Sequence, residues 1–101
     1  MTLCELIENV ADLPEDATLF VERIGGSFTP LSRAVPVVIP DDMTTKPIRE
    51  VAAQLAPGLE YFLEVLIIRE VLEDWAQNAS ANRPALQQAL ERVIYYAEND
   101  A

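Results

Sequence analysis

The sequence contains no histidine and only one cysteine, Cys4. Histidine is the side chain that most often moves protons near neutral pH. Its absence excludes histidine triads and histidine-bearing zinc sites. A single cysteine can form neither an internal disulfide nor a thiolate metal cage, and it fits a reducing compartment. Cys4 stands among Leu3, Leu6 and Ile7, with no cation close by in sequence to lower its pKa, so it reads as a small hydrophobe. Bases are also scarce. Arg23, Arg33, Lys46, Arg49, Arg69, Arg83 and Arg92 do not cluster, and seventeen acids oppose these seven, for a net charge of −10. Nucleic-acid binding draws on clustered Lys and Arg, so no nucleic-acid partner is expected, and an anionic membrane is disfavoured for the same reason. No GK[ST] phosphate loop occurs. Apolar runs such as residues 65–68 are far shorter than the ~20 residues of a membrane span. The chain shows no basic start followed by an apolar run. The expected location is cytoplasmic.

What the chain does hold suits one folded domain over residues 1–101. Half of the residues are apolar and 24% are charged, which disfavours disorder. Nine acids fall in residues 1–50 and eight in residues 51–101, so the negative field belongs to the whole surface and not to a tail. Such a field speeds encounter with a basic protein partner. It also keeps a small protein in solution without any partner.

The elements follow from local signals. Thr2-Leu3-Cys4-Glu5 forms a capping box, and Leu3, Leu6, Ile7 and Val10 share one helical face. Pro14 biases Leu13 out of the helical region, so this helix stops near Asp12. Residues 17–24 read as a strand, and Gly25-Gly26-Ser27 as a hairpin-type reversal. Phe28-Thr29-Pro30 does not open a helix, which argues against a phosphate cradle at the glycines. Residues 33–39 read as a second strand, and Pro36 places it at a sheet edge or marks a bulge. Pro40-Asp41-Asp42 is a turn that lacks the further oxygen ligands of a calcium loop. A short helix starts at Thr45-Lys46-Pro47, with Ile48, Val51, Ala52 and Leu55 on its apolar face, and Pro57-Gly58 ends it.

Residues 59–63 are ambiguous. They form either a third strand with Leu59, Tyr61 and Leu63 to one side, or the opening of a helix running to Gln77. A strand at 59–63 followed by a helix at 64–77 is the favoured reading. That helix is apolar on several sides, since Leu66, Ile67 and Val71 add to the stripe of Val65, Ile68, Leu72 and Trp75. Residues 78–82 are a polar break. Asn82-Arg83-Pro84 caps a last helix whose core face is Leu86, Ala89, Leu90, Val93, Ile94 and Ala97. The expected fold is α+β: a small antiparallel or mixed sheet of two to three short strands packed with three to four helices.

Candidate chemistry is thin. Glu60 with Glu64, or Glu70 with Glu73 and Asp74, could pair carboxylates as glycosidases do, but 101 residues leave little room for a sugar cleft. Arg69 interleaves with these acids and can pair with Glu73 at i,i+4, as on an ordinary solvated helix face. The aromatic residues are the better anchors. Tyr and Trp are enriched at binding hot spots, and they are also ordinary core residues with a polar tip. Tyr61, Trp75, Tyr95 and Tyr96 are the candidate partner-binding residues. Tyr95 and Tyr96 point about 100° apart on a helix, so one of them belongs at a rim or interface.

Three segments carry a resemblance: Leu13-Pro14-Glu15-Asp16-Ala17, Gly58-Leu59-Glu60-Tyr61-Phe62-Leu63 and Tyr95-Tyr96-Ala97-Glu98-Asn99-Asp100-Ala101. Together they resemble a family of small acidic bacterial proteins of uncharacterised function. The resemblance implies a compact α+β domain with a short sheet and a tyrosine-rich C-terminal helix, and it carries no catalytic assignment. Where that family opens a helix with a Ser and acidic cap, this chain has Glu64-Val65-Leu66-Ile67-Ile68, which leaves extra apolar surface at residues 65–71. The expected function is a non-enzymatic protein-binding module, immunity- or antitoxin-like, with no cofactor and no metal. The alternative is a homo-oligomeric scaffold, a homodimer through the helix at 64–77. A carboxylate-dependent enzyme or small-ligand binder is the third reading and requires a concave pocket.

Overall fold

The computed structural model describes residues 1–78 and 86–99. Four helices surround a three-stranded antiparallel sheet: α1 (Leu3–Glu8), β1 (Ala17–Val21), β2 (Ala34–Val38), α2 (Ile48–Leu55), β3 (Glu60–Glu64), α3 (Val65–Asn78) and α4 (Leu86–Asn99). The strand order is β2-β1-β3, which puts β1 in the centre. Central position explains why all five β1 residues are buried. The fold is α+β, as the alternation of strand and helix signals implies.

The capping box forms as read. The Glu5 N–H donates to Thr2 Oγ1 at 3.2 Å, and the Thr2 N–H donates to Glu5 Oε1 at 3.0 Å. This satisfies donors that an uncapped helix start would leave orphaned. The chain then tightens into a 3₁₀ turn, Val10–Asp12, and becomes extended at Leu13 ahead of Pro14.

Beyond β1, Ile24 and Ser27 exchange both backbone hydrogen bonds, at 2.8 and 3.2 Å. Gly25 and Gly26 between them have φ of 60° and 84°. Two successive left-handed positions define the hairpin turn that glycine allows at no steric cost.

Pro36 lies opposite Leu19 on the edge strand β2. The Glu22 N–H donates to Arg33 O at 2.8 Å, which makes that pair hydrogen-bonded. Bonded and non-bonded pairs alternate along an antiparallel ladder. Leu19–Pro36 is therefore a non-bonded pair, and the donor that Pro36 lacks would have faced outward. The same outward side of β2 is occupied at Ala34, whose N–H donates to Met1 O at 2.8 Å. The proline and the N-terminal segment together blunt this edge.

Residues 59–63 resolve as strand. β3 runs from Glu60 to Glu64, and α3 begins at Val65 with no loop between them. Leu63 pairs with Leu19, but Tyr61 pairs with Phe20, so Phe62 is an extra residue in the ladder. This bulge switches the strand between faces. Leu59 and Tyr61 join the cluster around Phe20, whereas Phe62 and Leu63 join the cluster around Leu19. Leu59, Tyr61 and Leu63 therefore do not share a side, contrary to strict alternation.

The sheet separates two apolar clusters. On one face Leu19, Val21 and Leu63 meet Leu3 and Leu6 of α1, Val65 and Ile68 of α3, and Leu90 and Val93 of α4. On the other face Phe20 meets Met43, Val51, Ala52 and Leu59, with Val35, Val37 and Tyr61 at the margin. Phe28 packs edge-on against Phe62, with ring centroids 5.0 Å apart. α2 starts one residue after Pro47, which stands at the cap position and not inside the first turn. The polar break at 79–82 and the cap at Asn82-Arg83-Pro84 lie outside the described residues.

Candidate functional site

Tyr61 belongs to the cluster under α2, while Tyr96 packs against the cluster formed by α1, α3 and α4. The two side chains join different clusters, yet their hydroxyls lie close enough for one charge to act on the other. Tyr95 is 54% exposed, with the Arg92 guanidinium 5.6 Å above its ring, and Tyr96 is half-buried beside it. Adjacent helical positions diverge in this way because each step turns the chain by about 100°. Trp75 falls on α3, and its side chain lies outside the described residues. The Tyr61 hydroxyl is held above its ordinary pKa, first by burial and then by the nearby charges of Glu64 and Tyr96. It therefore stays a neutral hydrogen-bonding group across the physiological range.

Tyr96 does build a site. With Ile67, Glu70, Val71 and Asp74 of α3 it lines a crevice of about 240 Å³ between α3 and α4. The surplus apolar residues on α3 explain it. Val65 and Ile68 are spent on the core, which leaves Ile67 and Val71 half-buried at the margin and Leu66 45% exposed. Glu70 and Asp74 stand one turn apart on the same helix, so both carboxylates border the apolar floor. The crevice suits one long side chain better than a cofactor, since small-molecule pockets usually occupy ~300–1,000 Å³. An aliphatic stem can lie on Ile67, Val71 and Tyr96 while its cationic head meets the carboxylates, as Lys and Arg do at apolar margins.

Arg69 does something other than pair with Glu73. Its Nη2 donates to the carbonyl oxygens of Val10, Ala11 and Leu13, at 3.2, 3.2 and 2.6 Å, and its Nη1 reaches Glu15 at 3.2 Å. The guanidinium closes the C-terminal end of the first helical segment, where unpaired carbonyls and the helix dipole favour a cation. Its Nε is buried without a partner among the described residues. Only the tertiary approach of α3 to residues 10–15 could reveal this role. It removes Arg69 from the exposed face of α3.

The far end of α4 is fixed by a second arginine. The Glu98 carboxylate accepts from the Phe28 N–H at 3.3 Å and from Arg23 Nη1 at 3.4 Å. Arg23 also pairs with Glu60 at 3.0 Å and lies 4.1 Å above the Phe28 ring. One guanidinium thus ties α4, β3 and the glycine hairpin together, which holds the α3–α4 crevice on a rigid base.

A second and larger groove, of about 430 Å³, opens between α2 and β3. Ile48, Arg49, Ala52, Leu59, Glu60 and Tyr61 line it. No local pattern in the sequence signals it, because it arises from the partial cover that α2 gives the sheet.

Among the described residues no group of three or more His, Cys, Asp or Glu side chains is placed to hold a metal ion. Asp41 and Asp42 stand exposed in a 3₁₀ turn. No helix of the described residues is long and apolar enough to cross a membrane. Cys4 is partly buried against the larger core cluster. No family model, curated protein or solved structure matches the chain, so the functional reading rests on its own geometry and charge.

Proposed function

We propose that this chain is a non-enzymatic acidic protein-binding module, of immunity or antitoxin type, that receives a basic segment of its partner in the α3–α4 crevice. The observation that carries this reading is the crevice itself: an apolar floor of Ile67, Val71 and Tyr96 bordered by Glu70 and Asp74. The net charge of −10 supplies long-range attraction for a basic surface. The crevice then supplies the short-range fit, with a Lys or Arg stem on the floor and its head between the carboxylates. Exposed Tyr95 stands at the rim as a further contact. The module works in the cytoplasm without cofactor, nucleic acid or membrane.

The homodimeric reading draws on Leu66, which is 45% exposed on α3. Two copies carrying −10 each repel one another, which weighs against it. A purely monomeric scattering mass at high micromolar concentration removes the dimer.

The test is affinity capture of cell proteins by tagged wild type and by Glu70→Lys, at low and at high salt. Glu70 is exposed, so reversing its charge leaves the core intact. The expected result is a basic protein retained by wild type at low salt, released at high salt and lost with Glu70→Lys. No captured protein at either salt, or capture indifferent to Glu70→Lys, overturns the reading.

A further inference from the structure

The groove between α2 and β3 carries an unpaired arginine on a molecule of net charge −10. Arg49 lines it, and no carboxylate among the described residues lies within ion-pair distance of Arg49. The one acid in its wall, Glu60, is already engaged by Arg23 Nε at 3.0 Å. A second unpaired cation stands at the same end: a methyl group added at Gly58 would lie 3.6 Å from Arg33 Nη2. A protein with ten excess negative charges thus leaves Arg49 unmatched in the wall of this concavity, with Arg33 beside Gly58 but outside the lining. Arg49 also sits in the first turn of α2, where the helix dipole disfavours a cation, so the helix itself gives no reason for an arginine there.

The remaining lining is apolar. Ala52 and Leu59 are each 7% exposed and form the floor, while Ile48, 41% exposed, stands at the mouth. The half-buried Tyr61 completes the wall. A volume of about 430 Å³ falls inside the ordinary range for small ligands. An apolar floor with Arg49 as its unpaired charged group selects an amphipathic ligand of the opposite sign. A basic protein segment, the partner proposed for α3–α4, is repelled from this groove.

We propose that the α2–β3 groove is a second binding site, for a small amphipathic carboxylate whose apolar part lies on Ala52, Leu59 and Ile48 and whose carboxylate is held by Arg49. The groove shares no lining residue with the α3–α4 crevice, so its test does not depend on the partner proposed there.

The test is a backbone-amide NMR titration of the full chain with octanoate, 1-octanol and octylamine as probes. Octanoate is expected to give saturable shifts at Ala52, Ala53, Gly58 and Leu59. Loss of one charge-assisted hydrogen bond weakens binding about tenfold, so octanol to wild type and octanoate to Arg49→Gln should each bind about tenfold more weakly. Octylamine should bind no better than octanol. Arg49 is exposed, and an unchanged melting temperature shows that Arg49→Gln folds. The proposal is overturned by the absence of saturable octanoate shifts in this groove. It is equally overturned by octylamine binding as well as octanoate, or by Arg49→Gln binding octanoate as wild type does.

Discussion

On one face of the sheet, Leu19, Val21 and Leu63 are met by side chains from α1, α3 and α4, and all three are fully excluded from solvent. On the other face, Phe20 and Tyr61 are met by one eight-residue helix and a 3₁₀ turn. Among the described residues there, Phe20 reaches the same exclusion and Val51 and Ala56 come near it, while Met43, Ala52 and Leu59 keep 7–8% of their surface in solvent. The helices of the first face are tied down by Arg69 at residues 10–15 and by Arg23 at α4. α2 starts at Pro47 with no side-chain cap. A small sheet with one sealed and one lightly covered face offers two kinds of surface. The sealed face gives a rigid base for a shallow crevice at its helix margin. The lightly covered face leaves a larger concavity because its helix does not fill the sheet.

The sharpest way to break this comparison is to truncate matched residues on the two faces. Ile68→Ala on α3 should lower stability by about 3–4 kcal/mol in denaturant unfolding, because a fully packed site collapses little around a cavity. Val51→Ala on α2 removes fewer atoms from a site that relaxes more easily, and about 1–2 kcal/mol is expected. Equal losses, despite the smaller truncation at Val51, would mean that the α2 face is packed at least as tightly as the other.

Arg69→Met comes between these two. The stem is kept and three carbonyl contacts are lost, for an expected cost of about 2 kcal/mol. Glu15 is largely exposed, so its pair with Arg69 contributes little of this. Arg69→Lys should recover only part of the loss, since one ammonium cannot span three carbonyls. Full recovery by Lys would show that charge alone, and not the spread of the guanidinium, closes the helix.

The smallest effect concerns the capping box. Thr2→Ala should cost about 1 kcal/mol near neutral pH. The Glu5 carboxyl is held below its ordinary pKa by its backbone hydrogen bond with Thr2 and then by the side-chain one. A depressed folded value means that Glu5's contribution is in place above the ordinary carboxylate pKa and is lost as pH falls through the lowered one. Alanine keeps the N–H that Glu5 accepts from and loses only the hydroxyl, so the difference in melting temperature between wild type and Thr2→Ala should narrow slightly as pH falls below the ordinary carboxylate range, without vanishing, because Thr2 Oγ1 still accepts the Glu5 N–H. A difference independent of pH would mean that the bond between the Thr2 hydroxyl and the Glu5 carboxylate contributes nothing.

The parts of this fold that were legible in sequence are those set by neighbours along the chain. The Thr2–Glu5 box, the Gly25-Gly26 reversal and the edge position of Pro36 each follow from a residue's own backbone preferences. The two readings of residues 59–63 differ only in whether a partner strand is present, and β1 supplies one. What stayed hidden depends on distant contacts. The bulge at Phe62 comes from pairing with β1 some forty residues earlier, and nothing in Tyr61-Phe62-Leu63 encodes it. Glu73 is the nearest candidate partner for Arg69 on a helix diagram, yet α3 carries the guanidinium to carbonyls at residues 10–13. The α3–α4 crevice was half legible, as surplus apolar residues at 65–71 beside acids. The α2–β3 groove was not legible, because an empty volume leaves no pattern in the sequence.

Native-state hydrogen exchange tests the unequal cover of the sheet most directly. The amides of residues 52–56 in and after α2 should exchange through a local opening, at a free energy well below that of β1 and of α3 near Ile68. If residues 52–56 exchange only as slowly as β1, both faces open together and the division into a sealed and a lightly covered side is wrong.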